Sequence, residues 1–348
     1  MKLKSMLSLS ALAFGSISYA QEAPKDPLVI FGSVDTYYKY DFQKKPNIPT
    51  SFASDQNSIS LGMIDLGLKK TTGKASFVGE LSFGPRGQYQ SIPNGDGTDD
   101  NSFHIQNLSA TYAFTDKFSM TAGYMGTFIG YEVISPLGNY NYSTSYLFTN
   151  GPFQNAGIKA NYTFSPKVAL MVGLFDDWNV YKDLNGVSHV GAQLSLAPVE
   201  GWTAYLNVLT GRNAGAAGTG SIFDLTTSYQ VSEKVKLGLN AADYSVSNNN
   251  GGYSGAALYA QNSFTTGFSM GVRAEYFTAK DIKATGTTPL VKGESVTAIT
   301  VSANLKAGGL TFIPEVRFDN GSSTMFSKND LTPTKKASQF SLAAVYAF

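Results

Sequence analysis

The chain has 348 residues, no cysteine, and 26 Lys+Arg against 25 Asp+Glu. Only 15% of it is charged, well under the ~25% usual in soluble domains, whereas 13% is aromatic. These values exclude a disulfide framework and thiol chemistry, and the near-neutral balance argues against a nucleic-acid partner, which would favour a basic face.

At the amino terminus Lys2 and Lys4 precede a mostly apolar or small run over 6–17, and Ser18-Tyr19-Ala20 then offers small residues at the two positions a signal peptidase reads. Residues 1–20 therefore read as a secretory signal peptide cleaved before Gln21; the apolar core is too short for a membrane span. No cysteine follows the cleavage point, so a lipoprotein anchor is excluded. The expected organisation is a leader at 1–20, a short periplasmic segment at 21–28 and one β-barrel domain over 29–348.

Beyond the leader no apolar run approaches the ~18 residues of a membrane helix. The chain instead alternates. Over 30–41, Ile30, Val34, Tyr38 and Tyr40 oppose Ser33, Asp35, Lys39 and Asp41. The same period of two runs through 74–84 (Ala75, Phe77, Leu81, Phe83 against Lys74, Ser76, Glu80, Ser82), 155–164, 268–278 and 310–319. Such alternation makes one face apolar and the other polar. Segment 57–70 changes frame near Met63 and Ile64, which predicts a bulge, and 167–177 is apolar on both faces.

Short connections fall at 71–72, 115–117, 165–166, 198–200, 232–234, 265–266 and 307–309. Longer stretches rich in Asn, Gly, Asp, Thr and Pro fall at 42–56, 85–101, 129–153, 178–186, 212–220, 248–252, 281–293 and 320–336. They separate sixteen strand candidates, the last being 339–348, in which Phe340, Leu342, Ala344, Tyr346 and Phe348 occupy every second position. A soluble sandwich would turn its apolar faces inward. A transmembrane barrel turns them toward lipid, with short periplasmic turns, longer external loops and both termini on the periplasmic side. The barrel is favoured by aromatics beside the short turns (Phe114, Phe118, Phe164, Trp202, Tyr229, Phe264, Phe268), by charges of both signs on the polar faces, and by a repeat long enough for a tilted strand plus its connection. The fold class expected is all-β, an antiparallel barrel of about sixteen strands in the outer membrane of a Gram-negative bacterium.

The stretch LGNYNYSTSYLFTNGPFQNAGIKANY at 137–162, with FGSVDTYYKY at 31–40 and FGP at 83–85, resembles the OmpL-like family of β-barrel porins common in Bacteroidota. The resemblance spans the mature chain and implies an outer-membrane pore without naming a solute.

The longest connection, 129–153, is the third external loop, which in general porins folds into the lumen. Its Tyr131, Glu132, Tyr140, Asn141, Tyr142 and Tyr146 are the candidates for a constriction; a rim-packed loop is the alternative. Asp35, Lys39, Lys74, Glu80, Lys159, Arg273, Glu275, Glu315 and Arg317 are the pore-lining candidates, and their mixed signs predict weak ion selectivity. Tyr346 and Phe348 are candidates for the signal read by the barrel-assembly machinery. Asp96, Asp99 and Asp100 resemble a divalent-cation loop but lack full EF-hand spacing, so a solvated loop tip is expected. The two histidines, His104 and His189, carry no nucleophile motif beside them. No cofactor or metal motif is read and no enzyme is expected. The expected partners are outer-membrane lipid, small hydrophilic solutes and further copies of the chain. The function expected is passive diffusion of small hydrophilic solutes, with a non-porin barrel (an adhesin or structural protein with an occluded lumen) as the alternative. A hydrophobic transporter would need an apolar amino-terminal hatch, and a TonB-dependent receptor would need a plug domain.

Overall fold

A computed structural model describes residues 27–48, 51–85, 103–181, 183–283 and 291–348. The expected leader and the acidic cluster Asp96, Asp99 and Asp100 lie outside the described residues. In chain order the strands are β1 (Val29–Asp41), β2 (Ser58–Thr72), β3 (Ala75–Phe83), β4 (Phe103–Ala113), β5 (Phe118–Gly126), β6 (Gln154–Ser165), β7 (Val168–Trp178), β8 (His189–Leu196), β9 (Trp202–Gly211), β10 (Gly220–Gln230), β11 (Val235–Val246), β12 (Gly252–Ser263), β13 (Phe268–Ala279), β14 (Ser295–Ala307) and β15 (Leu310–Gly321). A two-residue ribbon follows, β16 (Phe326–Ser327) with β17 (Pro333–Thr334), and then β18 (Lys336–Ala347). Strands β1–β15 and β18 form one closed barrel in which sequence neighbours pair antiparallel and β18 returns to β1. Closure is what lets a sheet sit in lipid, because an open edge would leave backbone groups unpaired at a cost of several kcal/mol each.

The alternation decides which way each side chain points. On β13, Met270, Val272 and Tyr276 face outward and are exposed, whereas Arg273 and Glu275 face inward and are buried. The aromatic residues near the short turns pair into a belt on the outer surface: Phe114 with Phe118, Trp202 with Tyr229, and Phe264 with Phe268. Amphipathic rings favour that level of a bilayer. Strand β7 is apolar on both faces because Val172 and Leu174 point out, while Met171 and Phe175 point into an apolar cluster inside the barrel.

The predicted frame change in β2 is a bulge. Register passes from Val34↔Ile64 to Thr36↔Leu61, leaving Gly62 and Met63 opposite Asp35. Asp35 Oδ1 accepts the Met63 amide at 2.8 Å, so the carboxylate satisfies a donor the ladder leaves free. A Cβ on Gly62 would collide with that carboxylate, which is why this position carries no side chain.

One connection is displaced from its expected place. The β2–β3 turn lies at Gly73 and Lys74, where Gly73 takes a φ of +59, and not at 71–72. Lys74 is consequently a turn residue at the periplasmic rim. It is exposed, and its Nζ donates to the Phe114 carbonyl at 3.1 Å. The expectation that Lys74 lines the pore is corrected: the strand begins one residue later than its alternation suggested.

At the seam, β1 and β18 pair from Ser33↔Ala347 to Asp41↔Gln339. The pairing continues to the last residue, since Gly32 N donates to Phe348 O at 3.2 Å and Phe348 N donates to Gly32 O at 3.1 Å. The Phe348 ring lies where a Cβ on residue 32 would point.

Candidate functional site

The third external loop, 127–153, turns into the barrel and crosses its interior. It contains a turn of 3-10 helix at Pro136–Gly138 and one short helix, α1 (Tyr146–Asn150), whose first turn is capped by Ser145 Oγ accepting from Phe148 N at 3.0 Å. The loop carries many backbone donors and acceptors away from bulk water, and each must find a partner. The inner wall supplies them.

Carboxylates take the amides. Glu315 accepts from Tyr142 N at 2.8 Å and from Ser143 N at 3.1 Å, and Glu275 accepts from Leu147 N at 2.9 Å. On β10, Asp224 accepts from Gly130 N at 3.0 Å. Arginines take the carbonyls. Arg273 donates to Ser143 O at 2.7 Å and Thr144 O at 3.2 Å, and Arg317 donates to Thr144 O at 2.7 Å. Within this frame Arg273 pairs with the loop's own Glu132 at 2.6 Å, and Glu132 also accepts Ser145 N at 2.7 Å. Arg317 pairs with Asp319 at 2.8 Å, Asp319 accepts the Tyr146 hydroxyl at 2.6 Å, and the Arg317 guanidinium lies 5.0 Å from the centre of the Tyr146 ring. Asn141 Nδ2 donates to Ser302 Oγ at 2.7 Å. Tyr142 is fully buried and its hydroxyl donates to Asp35 Oδ2 at 2.5 Å.

Apolar contacts reinforce the polar ones. Ile129, Tyr146 and Leu147 of the loop join Phe175, Leu209, Ile222, Tyr253, Phe277 and Val296 of the wall in one cluster. Tyr131 stacks on Tyr259 with ring centres 4.4 Å apart, and Tyr146 stacks on Phe277 at 5.7 Å. Four wall glycines serve as sockets. A Cβ on Gly191 would meet Phe128, one on Gly238 would meet Tyr131, one on Gly255 would meet Leu147, and one on Gly271 would meet Tyr140.

Most of the expected residues thus meet in one place. Tyr131, Glu132, Tyr140, Tyr142 and Tyr146 all lie against the inner wall, and Asp35, Arg273, Glu275, Glu315 and Arg317 are wall residues that hold them. Lys39, on the same inner face, is buried, with no hydrogen-bond partner for its Nζ among the described residues. Glu80 and Lys159 face inward away from the loop: Glu80 accepts from Asn107 Nδ2, and Lys159 is half-buried. Lys74 alone is elsewhere, at the rim. Sequence reasoning left out Asp224, Asp319 and the socket glycines. A glycine in the middle of an alternating strand marks a close approach, and Gly238 and Gly271 carried that signal.

Ser188, His189 and Asp177 adjoin at the outer end of β7 and β8, but Ser188 Oγ at 2.7 Å and Asp177 at 3.8 Å both address His189 Nδ1. Both partners on one nitrogen is not the relay of a nucleophile and its orienting acid. Among the described residues no group of three or more His, Cys, Asp or Glu could hold a metal.

A closed sixteen-strand barrel with a lipid-type exterior and an in-folded third loop defines the class of outer-membrane barrel channels. Within that class the chain belongs to the family described as "Putative beta-barrel porin-2, OmpL-like", whose model matches residues 27–348. Among solved structures it is similar to the outer membrane channel DcaP of Acinetobacter baumannii, with a TM-score of 0.62 at 13% identity over 95% of this chain and 99% of that one. It is also similar to an anion-selective porin from Comamonas acidovorans, with a TM-score of 0.61 at 13% identity over 93% and 100%. The in-vitro folded trimer form of OmpT, an outer membrane protein of Vibrio cholerae, gives 0.57 at 12% identity over 93% and 100%. At these identities the likeness is one of fold. No curated protein matches the sequence.

Proposed function

We propose that the chain is a passive channel for small hydrophilic solutes whose aperture is set by residues 131–149 of the third loop. The observation that carries this reading is the one-sided seat of the loop. Its wall hydrogen bonds go to β1, β8, β10 and β12–β15, and Ile134 packs against Met63 of β2. Among the described residues the wall of β3–β6 makes none of these hydrogen bonds, which leaves a crescent on that side of the loop. Solutes pass through that crescent. Asp35, Arg273, Glu275, Glu315 and Arg317 anchor the loop and so shape the crescent from behind, while Glu80 and Lys159 line it. The outward rows contact membrane lipid, Tyr346 and Phe348 present the terminal strand to the barrel-assembly machinery, and no catalytic step is involved. The trimer form of the Vibrio cholerae barrel supports a homo-oligomer. The test is conductance of the purified, refolded protein in a planar bilayer.

A second reading, a non-porin barrel with an occluded lumen, is favoured by the density of packing around the loop. Phe52 of the first external loop is buried with Ile134 and Phe148, and Tyr142 has no exposed surface. A folded, inserted protein that stays electrically silent would support it.

A further inference from the structure

We propose that the crescent admits small anions in preference to cations, and that Lys159 is the residue that sets this preference. The inference rests on the channel reading above and specifies its solute class.

Most charges on the inner wall fall into two populations; outside them, on β1 and β2, Asp65 is held by Ser33, Asp41 accepts the Gln43 and Asn47 amides, and Lys39 is buried. The first is committed to the loop. Asp35, Asp224, Glu275, Glu315, Asp319, Arg273 and Arg317, with Glu132 of the loop itself, are each no more than 6% exposed, and each donates to or accepts from a group named above. A solute in the crescent is separated from them by the loop backbone. The mixed signs that predicted weak selectivity are therefore largely consumed by structure.

The second population faces the open side. Along β3–β6 the inward positions include Ser76, Ser82, His104, Gln106, Asn107, Thr111, Thr121 and Asn161, with Glu80 and Lys159 as the acidic and basic members. Glu80 is 8% exposed and is held by Asn107, whereas Lys159 is more open and makes no ion pair among the described residues. Its cross-strand neighbours are Thr121 on β5 and Gly173 on β7, so neither flank supplies a carboxylate, and the glycine adds no side chain beside the stem. Below it, no barrel strand has an Asp or Glu within four residues of its periplasmic end, whereas Lys69, Lys236 and Lys306 face inward at that level. An anion entering from the crescent thus meets one uncommitted ammonium and then a lysine-lined vestibule. Charges in a cleft with low-dielectric walls focus the field and raise the local concentration of the opposite ion.

The experiment is the reversal potential of the refolded protein in a planar bilayer under a KCl gradient, followed by replacement of chloride with acetate and then benzoate. The expected sign is that of an anion-selective pore, with both carboxylates carrying current. Lys159→Gln should move the reversal potential toward zero, Lys159→Arg should restore it, and the combined Lys69→Gln, Lys236→Gln, Lys306→Gln variant should shift it in the same direction by less. Conduction with a cation-selective sign would overturn the inference alone, because the negative charge behind the loop would then dominate. An unchanged potential in Lys159→Gln would also overturn it. A protein that inserts and never conducts would overturn the channel reading and this one together.

Discussion

The Tyr142 hydroxyl donates to Asp35 Oδ2 at 2.5 Å while Asp35 Oδ1 accepts the Met63 amide at 2.8 Å, so one carboxylate joins the third loop to the bulge of β2. The loop is thereby tied to the barrel wall at a point remote in sequence from its own stem. Tyr142→Phe removes the tie and keeps the ring. Loss of a buried hydrogen bond to a charged group costs about 1.5–3 kcal/mol, so the variant should unfold at a lower denaturant concentration and show a larger or noisier open state in single-channel records. Gly62→Ala should be worse for folding than Tyr142→Phe, because its Cβ collides with the same carboxylate.

Arg273 and Glu132 form the other principal tie, at 2.6 Å and almost wholly buried. Removing one partner of such a pair leaves the other charge uncompensated and costs about 3–5 kcal/mol. Glu132→Gln should therefore free the loop more than Tyr142→Phe does. The measurement is limited proteolysis of the folded protein from the external side, with new cleavage within 131–149 as the expected result.

Gly271 accommodates Tyr140, and Gly238 accommodates Tyr131. Both sit in strands that pair regularly on either side. Gly238→Val fills a socket whose nearest atoms all belong to Tyr131, whereas a Cβ on Gly271 would also meet the Ala260 carbonyl of the neighbouring strand. The barrel should fold and insert with near-normal yield while conductance changes; a variant that fails to fold would show that the site supports the wall and not the loop.

Gly32 and Phe348 close the seam through two backbone hydrogen bonds, at 3.2 and 3.1 Å. Phe348→Ser keeps both bonds and removes the outward ring. Slower insertion in an assembly assay with purified machinery, at little change in final stability, is expected if the ring is read as a signal.

In the loop between β13 and β14, Asp281 accepts from Lys292 Nζ at 2.8 Å and from the Gly293 amide at 2.8 Å. These bonds, the lysine's first, hold its carboxyl below the usual carboxylate value of 3.8. A lowered folded-state value means the bonds stabilise the loop fully above that ordinary value and are lost as pH falls through the lowered one. Hydrogen exchange at the Gly293 amide should accelerate only below the ordinary carboxylate range, once corrected for intrinsic rates.

The barrel itself was legible because alternation is a local signal. A strand such as β13 states its two faces in its own residues, and the turn chemistry counts the strands. The bulge at Gly62 and Met63 was visible as a change of frame. The two-sided apolar character of β7 was visible too, but its cause was not, because Phe175 packs on Phe128 of a loop that returns from elsewhere in the chain. The same limit applied to the charges. Arg317, Glu315 and Asp35 read as lumen residues, and nothing local to their strands says that their partners are the backbone of residues 142–144. Lys74 shares the inward phase of Ser76 but lies in the turn before the strand, which Gly73 could have indicated.

The central claim is that the loop sets the aperture of a conducting barrel. Single-channel recording of the wild type beside a deletion of residues 131–149 tests it most directly. A small unitary conductance in the wild type, rising severalfold in the deletion, is the predicted result. Equal conductance in the two, or silence in both, would contradict the account.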